Sequence, residues 1–225
     1  MAALSLRLVL FDCDGTLVDG QHAIVEAMAA AFVHAGLPAP SAAAVRDVLG
    51  LSLNEAVERL LPPATPAGEA AAAMLQCRGT FDAMCRGPAP EEPLFPGIRE
   101  AVDAIAATGA LLGIVTGKGR RDLVATLDRQ GLRDRFITLH SADDGPGKPA
   151  PDMVLDAICR TGADAGSTIV IGDTTFDIEM ARNAGVRSVG VAWGNHSPVA
   201  LKRAGADRIA ATPADLPRLV GEMLA

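Results

Sequence analysis

Tyrosine is absent from this sequence, tryptophan occurs once and phenylalanine six times. A core of stacked rings is therefore excluded, and the interior has to be closed by tightly packed Leu, Val, Ile and Ala. Cysteine is also scarce: Cys13, Cys77, Cys85 and Cys159 stand far apart with no Cys-x-x-Cys pair. That excludes a disulfide framework and points to a reducing, cytoplasmic setting. His22, His34, His140 and His196 are too scattered to supply a zinc site. No apolar run reaches membrane-spanning length, and Arg7 followed by acids is not the order of an export signal. Net charge is −7 with no block of Lys or Arg, so neither a nucleic-acid surface nor an anionic-membrane surface is expected. A local phosphate site survives these exclusions, because a small pocket needs only one or two cations. The sequence carries no signal of oligomeric state.

What is present begins at Leu4–Asp19, LSLRLVLFDCDGTLVD. Leu6, Leu8, Val9, Leu10 and Phe11 read as a buried strand of a parallel sheet. Asp12 and Asp14 then fall at its carboxyl end, where open α/β sheets place their chemistry. Two carboxylates this close repel unless a cation lies between them or one holds a proton.

After Asp19 the period becomes helical. Ile24, Met28, Ala31 and Ala35 recur along one helix closed by Gly36 and Pro38. Ser41 heads a short helix through Leu49, Ser52 another to Leu61, and Pro66 a longer one toward Cys85. The proline-rich stretch 87–93 reads as a stiff connector. From Leu94 strands and helices alternate. Strands are expected at 111–115, 136–139, 168–171 and 186–191, with a short edge strand at 207–209. Helices are expected from Pro96-Gly97 to Gly109, around Leu123 and Leu127, from Asp152 to Gly162, over 177–183 and over 216–224.

The 225 residues suit one α/β domain with a modest insertion. Repeated strand–helix units imply a Rossmann-like parallel sheet with right-handed crossovers. The expected division is a core of residues 1–17 and 90–225 and an all-helical cap of residues 18–89. A cap rooted directly after the aspartates can cover the site and exclude water.

Four motifs arrive in order at strand ends: Asp12-Cys13-Asp14-Gly15-Thr16, Thr116, Lys148 in a Gly-Lys-Pro context, and Gly172-Asp173-Thr174-Thr175-Phe176-Asp177. In these the chain resembles the haloacid dehalogenase superfamily of phosphohydrolases. The likeness is to members with a helical cap after the first strand, which include phosphoglycolate phosphatases. The resemblance implies Mg²⁺-dependent hydrolysis of a small-molecule phosphate ester, 2-phosphoglycolate among the substrates, through an aspartyl-phosphate. Asp12 is then the nucleophile and Asp14 the acid and base, with Mg²⁺ held by Asp12, the Asp14 carbonyl and Asp173. Thr116 donates to the phosphate, Lys148 neutralises charge, and Asp177 steadies the acids.

Elementary chemistry agrees with that division. A phosphate monoester brings negative charge to a carboxylate, so attack requires cations that cancel the repulsion. Mg²⁺ takes hard oxygen ligands with few from the protein, and Lys148 is a compact point charge. Gly15 and Gly117 let the backbone approach closely, and the Cys13 amide points to phosphate with them. Cys13 itself reads as a small buried filler: a cysteine phosphatase needs an arginine where Asp19 stands. Lys118, Arg120 and Arg121 read as surface charges, with Lys118 near enough to Gly117 to contact substrate. His22 and Arg46 are the cap side chains expected to reach it.

No nucleotide P-loop and no G-x-G-x-x-G fingerprint is present. Two alternatives stay open. One is a sugar-phosphate mutase of the β-phosphoglucomutase kind. The other, of a different class, is a phospho-acceptor signalling or phosphometabolite-binding module.

Overall fold

The computed structural model describes residues 6–63, 65–85 and 92–225. Strand β1 (Leu8–Phe11) is followed by four helices: α1 (Gln21–His34), α2 (Ala42–Arg46), α3 (Leu53–Leu60) and α4 (Ala67–Cys85). Alternation then begins with α5 (Ile98–Ala107), β2 (Leu111–Val115), α6 (Arg120–Arg129) and β3 (Thr138–His140). It continues through α7 (Asp152–Thr161), β4 (Thr168–Gly172), α8 (Thr175–Asn183), β5 (Arg187–Val191), α9 (Pro198–Ala204), β6 (Arg208–Ala210) and α10 (Leu216–Leu224).

Among the described residues the six strands are parallel, in the order β3-β2-β1-β4-β5-β6. Both faces of β1 are buried, which is why its sequence is an unbroken apolar run. Val9 and Phe11 join Ile105, Leu112, Ile114 and Ile171 on one face. Leu8 and Leu10 join Val154, Val170 and Met180 on the other. The chain leaves β1 toward β2 and β3, then returns to its opposite side at β4, so β1 and β4 flank a topological switch point. Phe11 is level with both Ile114 and Ile171. That register brings the residues after β1, β2 and β4 to one edge.

The helices α1–α4 enclose a third apolar cluster, with Met28, Phe32, Val45, Val57 and Cys77 inside. Ser41 caps α2, and Ser52 with Glu55 forms a capping box on α3, as their positions in the sequence imply. The two linkers run side by side: the Asp19 amide donates to the Pro93 carbonyl and the Phe95 amide to the Leu17 carbonyl. Phe176 from α8 packs into the helical cluster, and the Arg59 guanidinium lies 5.0 Å from its ring centroid. Among the described residues no helix is long and apolar enough to cross a membrane.

The structure revises several boundaries. β3 starts two residues later than expected, because Phe136 is pulled into the core beside Phe11 as a ring contact rather than paired in the sheet. Helix α2 ends at Arg46, its continuation to Leu49 being turns. Helix α8 starts at Thr175, because Thr174 and Asp177 form a capping box that sets its first turn. Helix α9 was not expected, although Ser197, Pro198 and Gly205 carry the cap, first-turn and C-terminal signals for it. Of the proline-rich connector, residues 87–91 lie outside the described residues.

A Cβ on Gly117 would stand 2.4 Å from the Leu51 carbonyl oxygen and 2.5 Å from that of Gly50. The helical layer is thus seated on the loop after β2 through backbone that has nowhere to retreat. Gly117→Ala should cost about 1–3 kcal/mol by overpacking, read as a lowered Tm. Gly166→Ala, whose Cβ meets nothing within 4 Å, should stay within about 0.5 kcal/mol of the parent.

Candidate active site

Asp12 follows β1 and its amide donates to the Ile171 carbonyl, locking the end of β1 to that of β4. Its carboxylate is fully buried. Lys148 is equally buried, with Nζ 2.8 Å from Asp12 Oδ1 and 2.7 Å from Asp177 Oδ1 as ion-pair contacts. Asp12 Oδ2 has no hydrogen-bond partner among the described residues. Oxygens of Asp12, Asp173 and Asp177 all lie within 4.8 Å of one another.

Each of the other two acids is fixed by its own neighbours. Asp173 Oδ1 accepts from the Thr16 hydroxyl at 3.0 Å. Its Oδ2 accepts from the Asn195 amide at 2.8 Å and side chain at 2.7 Å. Asp177 Oδ2 accepts from the Thr174 amide and hydroxyl at 3.0 and 2.7 Å, leaving Oδ1 to Lys148. Gly15, at φ +83°, passes so near Asp173 that a Cβ would stand 2.3 Å from Oδ2.

Three buried carboxylates facing one ammonium are short of positive charge. Burial above all, with the charges of Asp177 and Asp173, pushes Asp12 up to about 8 although Lys148 opposes it. Burial and Asp177 push Asp173 up to about 6 against the Asn195 hydrogen bonds and Lys148. Burial depresses Lys148, but Asp12 and Asp177 outweigh it and hold the ammonium above its usual range. A hard divalent cation fits this donor set: all-oxygen ligands, excess negative charge, and a buried carboxylate oxygen with no partner.

Asp14 does not join that cluster. Its two oxygens receive Lys118 Nζ at 2.8 and 3.1 Å, and Lys118 reaches Glu92 Oε1 at 2.8 Å as well. Lys118 is therefore not the surface charge its sequence context implies, since its side chain is only 11% exposed. Burial opposes its charge, yet Asp14 and then Glu92 hold the ammonium well above its usual range. Thr116 is buried at the end of β2, and its hydroxyl accepts from the Lys118 amide at 3.3 Å. The Cys13 side chain packs into the apolar core, and burial pushes its thiol far up, which removes it as a nucleophile.

A cavity of about 840 Å³ opens from Asp12, Asp14 and Thr116 between the helices and the sheet edge. Ile24, Met28, Val45, Leu49 and Leu53 form its helical wall, with Glu26, Glu55 and Arg78 as charges. His22 and Arg46 are not part of it. From α1 the lining residues are Ala23, Ile24, Glu26, Ala27 and Met28, while His22 is exposed. Arg46 Nε is bonded instead to Gln21 Oε1 at 3.2 Å, and the inward position belongs to Val45.

Sequence reasoning missed Glu92, Asn195 and the role of Thr16. Thr16 lies inside the first motif and was within reach. Glu92 sits in proline-rich sequence and Asn195 in a loop, and nothing local marks either.

Residues 9–191 match the family model described as haloacid dehalogenase-like hydrolase. The chain is 36% identical over 198 residues to the "Probable phosphatase IndB" of Dickeya dadantii, covering 88% of this chain and 86% of that protein. It is 30% identical over 219 residues to phosphoglycolate phosphatase of Yersinia pseudotuberculosis, covering 96% and 94%. A haloacid dehalogenase-like family hydrolase from Streptococcus pneumoniae superposes with a TM-score of 0.80 at 25% identity, covering 96% and 99%.

The raised carboxylates set a stability profile. Protons bind Asp12 and Asp173 more tightly in the folded than in the unfolded chain, so their contribution is complete in acid and is lost as pH rises through about 6 and about 8. With a chelator, Tm should fall between those values, and Mg²⁺ should raise it more at the alkaline end. Calorimetry over that range checks both; a Tm independent of pH and of Mg²⁺ would contradict the charge imbalance.

Proposed function

This chain belongs to the haloacid dehalogenase-like hydrolases, and from that premise we propose that it is a Mg²⁺-dependent phosphatase of small phosphomonoesters working through an aspartyl-phosphate. The observation that carries the reading is the buried Asp12 carboxylate, with one oxygen unpartnered and the other 2.8 Å from Lys148. In this reading residues 1–17 and 90–225 are the catalytic core and residues 18–89 the cap. The free Cys13, Cys77 and Cys159 thiols agree with a cytoplasmic enzyme.

An Asp12 oxygen attacks phosphorus, and the bond to the ester oxygen breaks as Asp14 gives that oxygen a proton. Water then attacks the phosphorus of the aspartyl-phosphate, Asp14 takes its proton, and phosphate departs. Lys148 offsets the repulsion between nucleophile and phosphoryl group, and Asp177 keeps Lys148 in place. Thr116 donates to a phosphate oxygen, and Gly117 beside it lines the same cavity. Cys13 does not line it, and the Gly15 amide donates to the Val18 carbonyl instead. Asp12, Asp173 and the Asp14 carbonyl would hold Mg²⁺, which supplies positive charge to the transferring group. The helical layer excludes water and meets the organic part of the ester, and its wall supports a small metabolite as substrate.

A panel of phosphate esters headed by 2-phosphoglycolate, scored by released phosphate, tests the reading. Release should require Mg²⁺ and fall ~10³-fold or more in Asp12→Ala. Asp14→Asn should lower kcat while leaving Mg²⁺ affinity nearly intact, because the metal would use the carbonyl. Undiminished release from Asp12→Ala sinks the mechanism. Conversion of a sugar 1-phosphate to its 6-phosphate without release would favour a mutase, and a stable phosphoprotein without turnover would favour a signalling module.

A further inference from the structure

We propose that Glu92 is a positioning residue for the proton transfers: it fixes Lys118, and Lys118 fixes the orientation of the Asp14 carboxylate. This rests on the reading of Asp14 as acid and base.

Glu92 is charged yet only 7% exposed, and it is anchored from three sides. Its Oε2 accepts from the Thr126 hydroxyl at 2.6 Å and from Arg129 Nη2 at 2.7 Å. Its main-chain carbonyl accepts from Gln130 Nε2 at 2.7 Å. All of these come from α6 and the residue that ends it, so Oε1 is held at a set height above the sheet edge. Burial opposes the negative charge, but Lys118 first, then Thr126 and Arg129, keep the carboxyl below its usual range.

An ammonium has three donors. Two contacts of Lys118 Nζ go to Asp14 and one to Glu92. Lys118 stands at the cavity wall, and its described contacts tie it to these two acids. Among the described residues, both hydrogen bonds to the Asp14 carboxylate come from Lys118. Asp14 precedes Gly15 with its positive φ, and its side chain has staggered alternatives. Lys118 has a flexible four-carbon stem, and without Glu92 that stem can carry the ammonium away from the acid. Glu92 thus converts a mobile cation into a fixed one.

A merely structural clasp would have the same contacts, so the test uses leaving groups. The ratio kcat/KM reports transfer to Asp12 and departure of the alcohol. An alkyl phosphate needs a proton to leave, whereas p-nitrophenyl phosphate does not. Glu92→Gln should lower kcat/KM for an alkyl phosphate roughly 10- to 100-fold, and for p-nitrophenyl phosphate by no more than about 3-fold. Equal losses on both esters, or none on either, would overturn the proposal. If Glu92→Gln does not fold by circular dichroism, Lys118→Gln carries the same expectation and the same overturning outcomes. Parent enzyme that hydrolyses both esters, with Asp12→Ala inactive, keeps the functional reading standing whichever way these variants behave.

Discussion

Three buried carboxylates at the switch point of the sheet, facing a buried lysine, are the constraint to which the rest of the architecture answers. Taking such charges out of water is costly, and the chain compensates with ligands drawn from distant segments. Thr16 and Asn195 hold Asp173, Thr174 holds Asp177, and Lys148 spans Asp12 and Asp177. The donors nonetheless fall short of the negative charge, and that shortfall leaves an all-oxygen donor set that suits a hard cation.

The neighbouring acid is handled differently. Asp14 lies two residues from Asp12 but faces Lys118 and Glu92 in place of Lys148 and Asp177. The backbone turn at Cys13–Gly15 separates the two carboxylates, so each meets its own ammonium. One pair of identical side chains thereby acquires two environments at the cavity wall, one buried and short of positive charge, the other paired to an ammonium. The proposed division of labour between attack and proton transfer rests on that separation.

The helical layer supplies the roof. Its loop at Gly50–Leu51 rests on Gly117, and Phe176 reaches up into its apolar cluster. The same packing leaves an apolar wall of Ile24, Met28, Val45 and Leu49 over the acids. In the proposed function, chemistry and selectivity fall to different layers: the sheet edge meets phosphate, and the helices meet what is attached to it.

Much of this was legible in order along the chain. Strand β1 shows as an apolar run because both its faces are buried, and Asp12, Thr116 and Asp173 stand at strand ends because each apolar run stops there. Ser41, Ser52 and Pro66 mark helix starts through interactions within a few residues. These features are local, and local sequence determines them. Glu92, Asn195 and the true partner of Lys118 were decided only by the tertiary structure, as was the inward place of Val45 over His22 and Arg46. Their partners lie up to 104 residues away, and no spacing or propensity within a segment encodes which charge a folded neighbour will bring to it.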